Sequence, residues 1–231
     1  MNLLDLSWDN LIILDACRFD TFLQVNDIKG LLVKQKSVGT STWQWFKNTF
    51  KEQFYNIDYF SCNPYISYLY FGQSRKTKFK YLYNLWEIKW DINCNTVQPS
   101  SVNKFVMKNY SGRKTIIHYM QPHLPFIGDM KYVYNGFRYN KEIIEGLKVK
   151  KSDNVWSKFI KGEITKPQIY GAYKKTLKLV LNEVKELIPV LQGRTVIASD
   201  HGNAFGEQGH YAHKQDTWIP CLYEIPCLFV E

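Results

Sequence analysis

Three short apolar runs in this chain each stop at a residue able to do chemistry, and that pattern limits the folds open to it. Leu11-Ile12-Ile13-Leu14 lies between Asp9-Asn10 and Asp15. Thr115-Ile116-Ile117-His118-Tyr119-Met120 runs into Gln121-Pro122-His123, and Thr195-Val196-Ile197-Ala198-Ser199 into Asp200-His201-Gly202. Short runs of this kind, without polar alternation, suit strands buried on both faces of a parallel sheet. Pro226-Cys227-Leu228-Phe229-Val230 reads as a further strand.

Between the second and third runs lies a helical pattern. Ile169, Tyr173, Leu177, Val180, Val184, Leu187 and Leu191 recur at three- and four-residue spacing, with Lys and Glu on the opposite face. Thr165 can cap its start and Pro167 fits its first turn. Pro189 bends or ends it, and Gly193 marks the turn into the next strand. A weaker helix is expected over Val102 to Asn109. Strand–helix–strand alternation predicts an α/β fold, a three-layer sandwich with a mostly parallel central sheet. Residues 72–98 show no convincing period, and 128–163 read as a turn-rich insertion placed to form a lid. A length of 231 residues suits one domain spanning 1–231.

The net charge of +9 admits polyanionic partners. The cations are spread over 34–36, 47–51, 75–80, 148–151 and 174–178, which reads as a solvated surface. Only the Lys/Tyr stretch 75–83 interleaves cations and aromatics as a nucleic-acid groove would, so no specific nucleic-acid partner is expected. Cys17, Cys62, Cys94, Cys221 and Cys227 form no C-x-x-C pair, and an odd number at irregular spacing suggests reduced thiols. The start MNLLDLSWDNLIIL has no basic n-region, and no apolar run reaches the ~18 residues of a membrane span. The expectation is a soluble cytoplasmic protein without a transmembrane segment.

In an open parallel sheet, ligands bind beyond the carboxyl ends of the strands. All five histidines fall in two windows there, 118–123 and 201–213. Asp200-His201 offers a carboxylate and an imidazole at a turn that Gly202 permits, and Asp15 adds a second carboxylate. Such a set suits Zn²⁺ or Mn²⁺ first, with Mg²⁺ and Ca²⁺ behind them. Gly39 leads into three hydroxyl residues, Thr40, Ser41 and Thr42, ahead of a helix running to Phe50. A helix start stabilises a phosphate or sulfate, so one of these hydroxyls is a candidate nucleophile. The plainer readings are a helix cap for Asp15, a loop pair for Asp200-His201 and a Ser/Thr cap for residues 40–42.

Three segments resemble the alkaline phosphatase and sulfatase superfamily. Asn10-Leu-Ile-Ile-Leu-Asp15-Ala-Cys-Arg18-Phe-Asp20 is similar to its first strand and metal-binding Asp. His118-Tyr-Met-Gln-Pro122-His123-Leu-Pro125 is similar to its Pro-His-x-Pro segment. Ser199-Asp200-His201-Gly202 with Gly206-Glu207-Gln208-Gly209-His210 and His213 is similar to its Asp-His-Gly block and downstream Gly-Glu-His-Gly. The resemblance implies an alkaline-phosphatase-like fold and a metal-dependent phosphate-ester hydrolase or transferase. It implies metal ligands Asp15, Asp200 and His201 with the nucleophile oxygen, and a substrate that is a glycan or surface-polymer precursor. A nucleophile two residues after a glycine, as in lipoteichoic acid synthases, maps to Ser41, with Thr40 and Thr42 as alternatives. His123 and His213 would hold the transferred group or move its proton, with Thr40, Thr42 and His210 beside it. Arg18 and Asp20 would fix the loop as a local ion pair. The residues after Ser41 lack the Pro and Arg of the formylglycine pattern, so a sulfatase reading needs a formylglycine-independent route. Asp15 is followed by Ala16 where a second acidic residue is usual, and Gln208 stands where His is frequent. A non-catalytic descendant binding a glycan or phosphate polymer is the alternative those two departures favour.

Overall fold

A computed structural model describes residues 2–51, 54–66, 79–129 and 155–231. Its frame is a seven-stranded sheet built from β1 (Asn10–Leu14), β2 (Gly30–Lys36), β3 (Phe54–Ser61), β4 (Phe79–Asn84), β7 (Thr115–Tyr119), β8 (Thr195–Ala198) and β11 (Glu224–Val230). Their order across the sheet is β2-β11-β8-β1-β7-β3-β4. From β8 to β4 the strands are parallel, while β11 runs antiparallel to both β8 and β2. All five residues of β1 and of β7 are buried, as their unbroken apolar runs require.

Side chains alternate across each strand, and the two faces carry separate cores. Ile12, Leu14, Ile117, Tyr119 and Ile197 face α1 (Phe19–Val25), α4 (Pro99–Asn109) and α6 (Lys166–Leu187), through Phe22, Val102, Val106, Leu177 and Val184. Leu11, Ile13, Ile116 and Val196 face α2 (Thr42–Thr49), through Trp45 and Phe46. Helix, sheet and helix therefore make the three layers.

The long helix α6 starts where its cap chemistry says it should. Thr165 and Gln168 form a reciprocal capping box, Pro167 lies in the first turn, and Pro189 falls in a 3₁₀ turn after Leu187. Gly193 then adopts φ +83°, which favours glycine. Helix α4 begins at Pro99, earlier than its apolar pattern suggests. The stretch without a period holds β4, the short α3 (Leu85–Ile88) and a small hairpin of β5 (Trp90–Asp91) and β6 (Thr96–Val97). Most of the expected lid, 130–154, lies outside the described residues. Its last part forms α5 (Val155–Ile160), whose Val155 packs with Phe126, Tyr173 and Phe205.

Candidate active site

The carboxyl ends of β8, β1 and β7 lie side by side, and the loops leaving β1 and β8 are bolted together. Ser199 Oγ accepts the Cys17 N–H at 2.9 Å and lies 2.6 Å from the carbonyls of Leu14 and His201, to which it can donate. Asp200 Oδ1 accepts the N–H groups of Ala16 at 3.0 Å and His201 at 2.8 Å. Tyr173, from α6, accepts the Arg18 N–H at 2.9 Å and donates to the Ala16 carbonyl at 2.8 Å. These bonds hold Ala16 at φ +59°, a conformation an alanine adopts only under constraint. Arg18 is pinned further on, to Asp20 at 2.5 Å and Glu207 at 2.9 Å.

Inside this frame Asp15, Asp200, His118 and His201 are each fully buried. His201 Nε2 lies 3.3 Å from Asp200 Oδ2 and 3.7 Å from Asp15 Oδ1. His118 Nε2 lies 3.7 Å from Asp15 Oδ2, and Asp15, His118 and Asp200 offer ligand atoms within 4.8 Å of one another. Asp15 Oδ1, Asp200 Oδ2 and His118 Nε2 have no hydrogen-bond partner among the described residues. His201 Nδ1 is 2.7 Å from the Gly202 carbonyl, which only accepts, so Nδ1 carries a proton, and in the neutral imidazole Nε2 turns a lone pair toward two carboxylates. Burial, and then repulsion from Asp200, push the Asp15 carboxyl well above its usual range. Lone pairs converging on two buried carboxylates are costly unless a cation sits among them. The donor set of oxygens and imidazole nitrogens fits a divalent metal such as Zn²⁺, and a metal-ligating His characteristically donates its other N–H to a carbonyl.

The three hydroxyls before α2 have separate fates. Ser41 is the N-cap, its Oγ facing the Gln44 N–H at 3.4 Å. Thr40 Oγ1 lies 3.1 Å from both Gln44 Oε1 and the Lys214 carbonyl. Thr42, the first helical residue, turns its Oγ1 into the cluster, 3.2 Å from His201 Nε2. Asn63, just past β3, donates to Asp15 Oδ2 at 2.6 Å and to Thr42 Oγ1 at 3.4 Å. Gly39 permits this close entry, because a Cβ there would collide with the backbone of Trp45.

His213 covers the cluster, its ring 4.5 Å from that of His201. Its Nε2 is 2.7 Å from Nε2 of His123, whose Nδ1 is 2.6 Å from the Leu124 carbonyl. The carbonyl fixes the proton on His123 Nδ1, so His213 Nε2–H is the donor between the rings, and His213 Nδ1 is left bare, without a partner among the described residues. Burial pushes the His123 imidazole down to about 4 and His213 well below its ordinary value. A pocket of about 340 Å³ opens beside them, lined by Ser41, Thr42, Trp43, Tyr65, His213 and Gln215. His210 is half-buried past the turn at Glu207–Gly209, and among the described residues its side chain makes no contact with the cluster.

The structure thus gathers Asp15, Asp200, His201, His123 and His213, and of the three hydroxyls it places that of Thr42 within hydrogen-bond distance of His201, while Ser41 caps the helix. It adds Asn63, Tyr59 and His118 to the surroundings. His118 carried a signal, its place in the first histidine window at the end of a buried strand. Asn63 and Tyr59 carried none, since β3 has no clean apolar pattern.

No protein-family model matches the chain, and no curated protein does. Among solved structures it is similar to the integral membrane lipooligosaccharide phosphoethanolamine transferase A of Neisseria meningitidis, at 13% identity and TM-score 0.59, over 96% of this chain and 47% of that one. The soluble domain of that transferase gives 12% identity and TM-score 0.59, over 96% and 76%. The C-terminal periplasmic domain of phosphoethanolamine transferase EptC from Campylobacter jejuni gives 15% identity and TM-score 0.53, over 95% and 77%. The chain spans about half the length of the full transferase. The likeness is one of fold: the chain shares the alkaline-phosphatase-like fold of these transferase domains.

The same comparison corrects the cytoplasmic expectation. The Campylobacter domain is periplasmic and the Neisseria domain is the soluble part of an integral membrane protein, which points outside the cytoplasm. The thiol argument fails for a physical reason: Cys17, Cys62, Cys94 and Cys227 are free and buried, so their number reports packing and not redox compartment. Among the described residues no helix is long and apolar enough to cross a membrane.

Proposed function

We propose that this chain is a metal-dependent phosphate-ester transferase or hydrolase in which Thr42 is the nucleophile. The observation that carries the reading is the position of Thr42 Oγ1, at a helix start and 3.2 Å from His201 Nε2, among buried ligand atoms that lack partners. Asp15, Asp200 and His201 would hold a divalent ion, Zn²⁺ or Mn²⁺. Such an ion supplies positive charge that favours an ionised hydroxyl and a transferred oxyanion.

The rest of the chemistry falls to the chain. Asn63 donates toward Thr42 Oγ1 and so favours its deprotonated form. The helix start at Thr42 would favour the anionic group that Thr42 attacks. Thr42 Oγ1 forms the new bond to phosphorus while the bond to the departing alcohol breaks, leaving a phosphothreonine. His213 lines the pocket with a bare Nδ1, placed to take the proton of the water or acceptor alcohol that releases the group. Trp43 and Tyr65 form an aromatic wall suited to a sugar ring. The similar Neisseria protein is named for a lipooligosaccharide, which supports a glycan or surface-polymer precursor as the partner substrate.

The test compares wild type, Thr42→Ala and Ser41→Ala with Zn²⁺ or Mn²⁺ on p-nitrophenyl phosphate, its bis ester and p-nitrophenyl sulfate. Thr42→Ala should lose on the order of 10³-fold or more of the turnover of a phosphate ester. Ser41→Ala should keep activity within about tenfold and lose about 1 kcal/mol of stability as a weakened cap. Mass spectrometry should find added phosphate on the peptide holding residue 42. Undiminished turnover by Thr42→Ala, or the covalent group on Ser41, would sink the assignment, and turnover of the sulfate alone would move the chain to sulfate esters.

A further inference from the structure

Resting on that reading of the metal centre, we infer that His118 is a further protein ligand, held in position by Tyr59. His118 projects from within β7, paired in register with Ile13, and its ring has no exposure. Its two nitrogens are treated differently. Nδ1 lies 2.8 Å from the Tyr59 hydroxyl, whereas Nε2 has no hydrogen-bond partner among the described residues and points at Asp15 Oδ2 from 3.7 Å.

That distance discriminates between roles. It is too long for a hydrogen bond between the imidazole and the carboxylate, and too short for a water to bridge them. It is close to the separation of two ligand atoms that share one tetrahedral ion, about 3.4 Å when each bond is ~2.1 Å. The contacts of His201 with Asp200 at 3.3 Å and with Asp15 at 3.7 Å fall in the same range. His118 and His201 thus approach opposite oxygens of Asp15, and the ligand atoms of Asp15, His118 and Asp200 lie within 4.8 Å of one another.

The Tyr59 hydroxyl is compatible with the tautomer that a ligand needs. A phenol oxygen accepts as well as it donates, so Nδ1 can keep its proton and give it to Tyr59 while Nε2 presents its lone pair. The ring cannot swing away, because Trp45 packs edge-on against it at 5.8 Å and Tyr59 is itself buried against Phe50 and Phe79. The same relation, a ring nitrogen held by a neighbour so that the other faces the carboxylates, is seen at His201 with Gly202.

X-ray absorption on the tagless, Zn²⁺-loaded chain tests this by counting imidazoles. Replacing His123, His210 and His213 together by Gln leaves His118 and His201 as the remaining histidines of the five. Two imidazoles on zinc in that triple variant, falling to one when His118→Gln is added, is the expected result. One imidazole in the triple variant overturns the role of His118 and leaves the metal centre standing. No bound zinc in wild type overturns the metal centre itself, and this inference with it. Should His118→Gln fail to fold, the count in the triple variant still decides. Tyr59→Phe should keep two imidazoles but bind zinc about tenfold more weakly, and an unchanged dissociation constant would remove Tyr59 from its positioning role.

Discussion

Removing one oxygen atom, that of Tyr173, should loosen the loop that carries Asp15. The Tyr173 hydroxyl is buried and satisfies two backbone groups at once, the Arg18 N–H at 2.9 Å and the Ala16 carbonyl at 2.8 Å. In Tyr173→Phe both groups stay buried and lose their partner, at about 1–3 kcal/mol each when unrelieved. Ala16 also keeps its φ of +59°, which only its surroundings impose. A total of about 2–6 kcal/mol follows, or roughly 4–24 °C in Tm for a chain of this size. Calorimetry would measure it, with Tyr170→Phe as the control, since the hydroxyl of the half-buried Tyr170 meets only the Thr21 hydroxyl at 2.8 Å. Zinc binding should weaken in Tyr173→Phe and not in Tyr170→Phe. Equal and small Tm shifts for the two variants would refute the argument that this hydroxyl holds the loop.

The other expectations concern charge. Zinc at a hundred times its dissociation constant should stabilise wild type by about 2.7 kcal/mol. Asp200→Asn should lose that response yet be no less stable without metal, because the amide oxygen still accepts from Ala16 and His201 while the repulsion on Asp15 is gone; an equal zinc response in both proteins contradicts the ligand role. Burial opposes the charge on Glu207, but Arg18 and the Phe205 N–H pull its carboxyl down to about 2 from 4.5. A depressed carboxylate stabilises the fold above its unfolded pKa, so Glu207→Gln should cost about 1 kcal/mol at neutral pH after screening, a difference that fades as pH falls from about 4.5 to 2. A difference that persists at pH 2 in urea titrations would show that packing and not charge is at stake.

Much of the fold was readable because the central strands are buried on both faces. β1, β7 and β8 stand next to one another, and their unbroken apolar runs announce it. β2 and β4 lie at the sheet edges, and β2 runs from Leu31-Leu32-Val33 into Lys34-Gln35-Lys36 without a fully buried residue. β3 hides behind Asp58, a buried carboxylate that Arg113 neutralises at 3.1 Å and Ser111 bonds at 2.8 Å. Asp15, Asp200 and His201 could be placed because each stands at the end of a legible strand. The resemblance mapped the nucleophile to Ser41, with Thr40 and Thr42 as alternatives, but spacing from a glycine carries no side-chain direction, since each helical residue turns by about 100° and the backbone at the cap decides which hydroxyl looks inward. Tyr59 and Asn63 belong to β3 and the turn after it, so they were lost with that strand.

The hydrogen bond from Ala16 to Asp200 joins residues 184 apart in the chain. A nascent polypeptide therefore has no assembled binding site while its first half emerges, because Asp15 waits for β7 and then β8 to dock on either side of β1. In the metal centre proposed above, an ion would therefore meet a finished cage and not a flexible loop closing around whichever ion arrives first. Scattering the proposed ligands so widely along the sequence makes that cage a property of the whole fold.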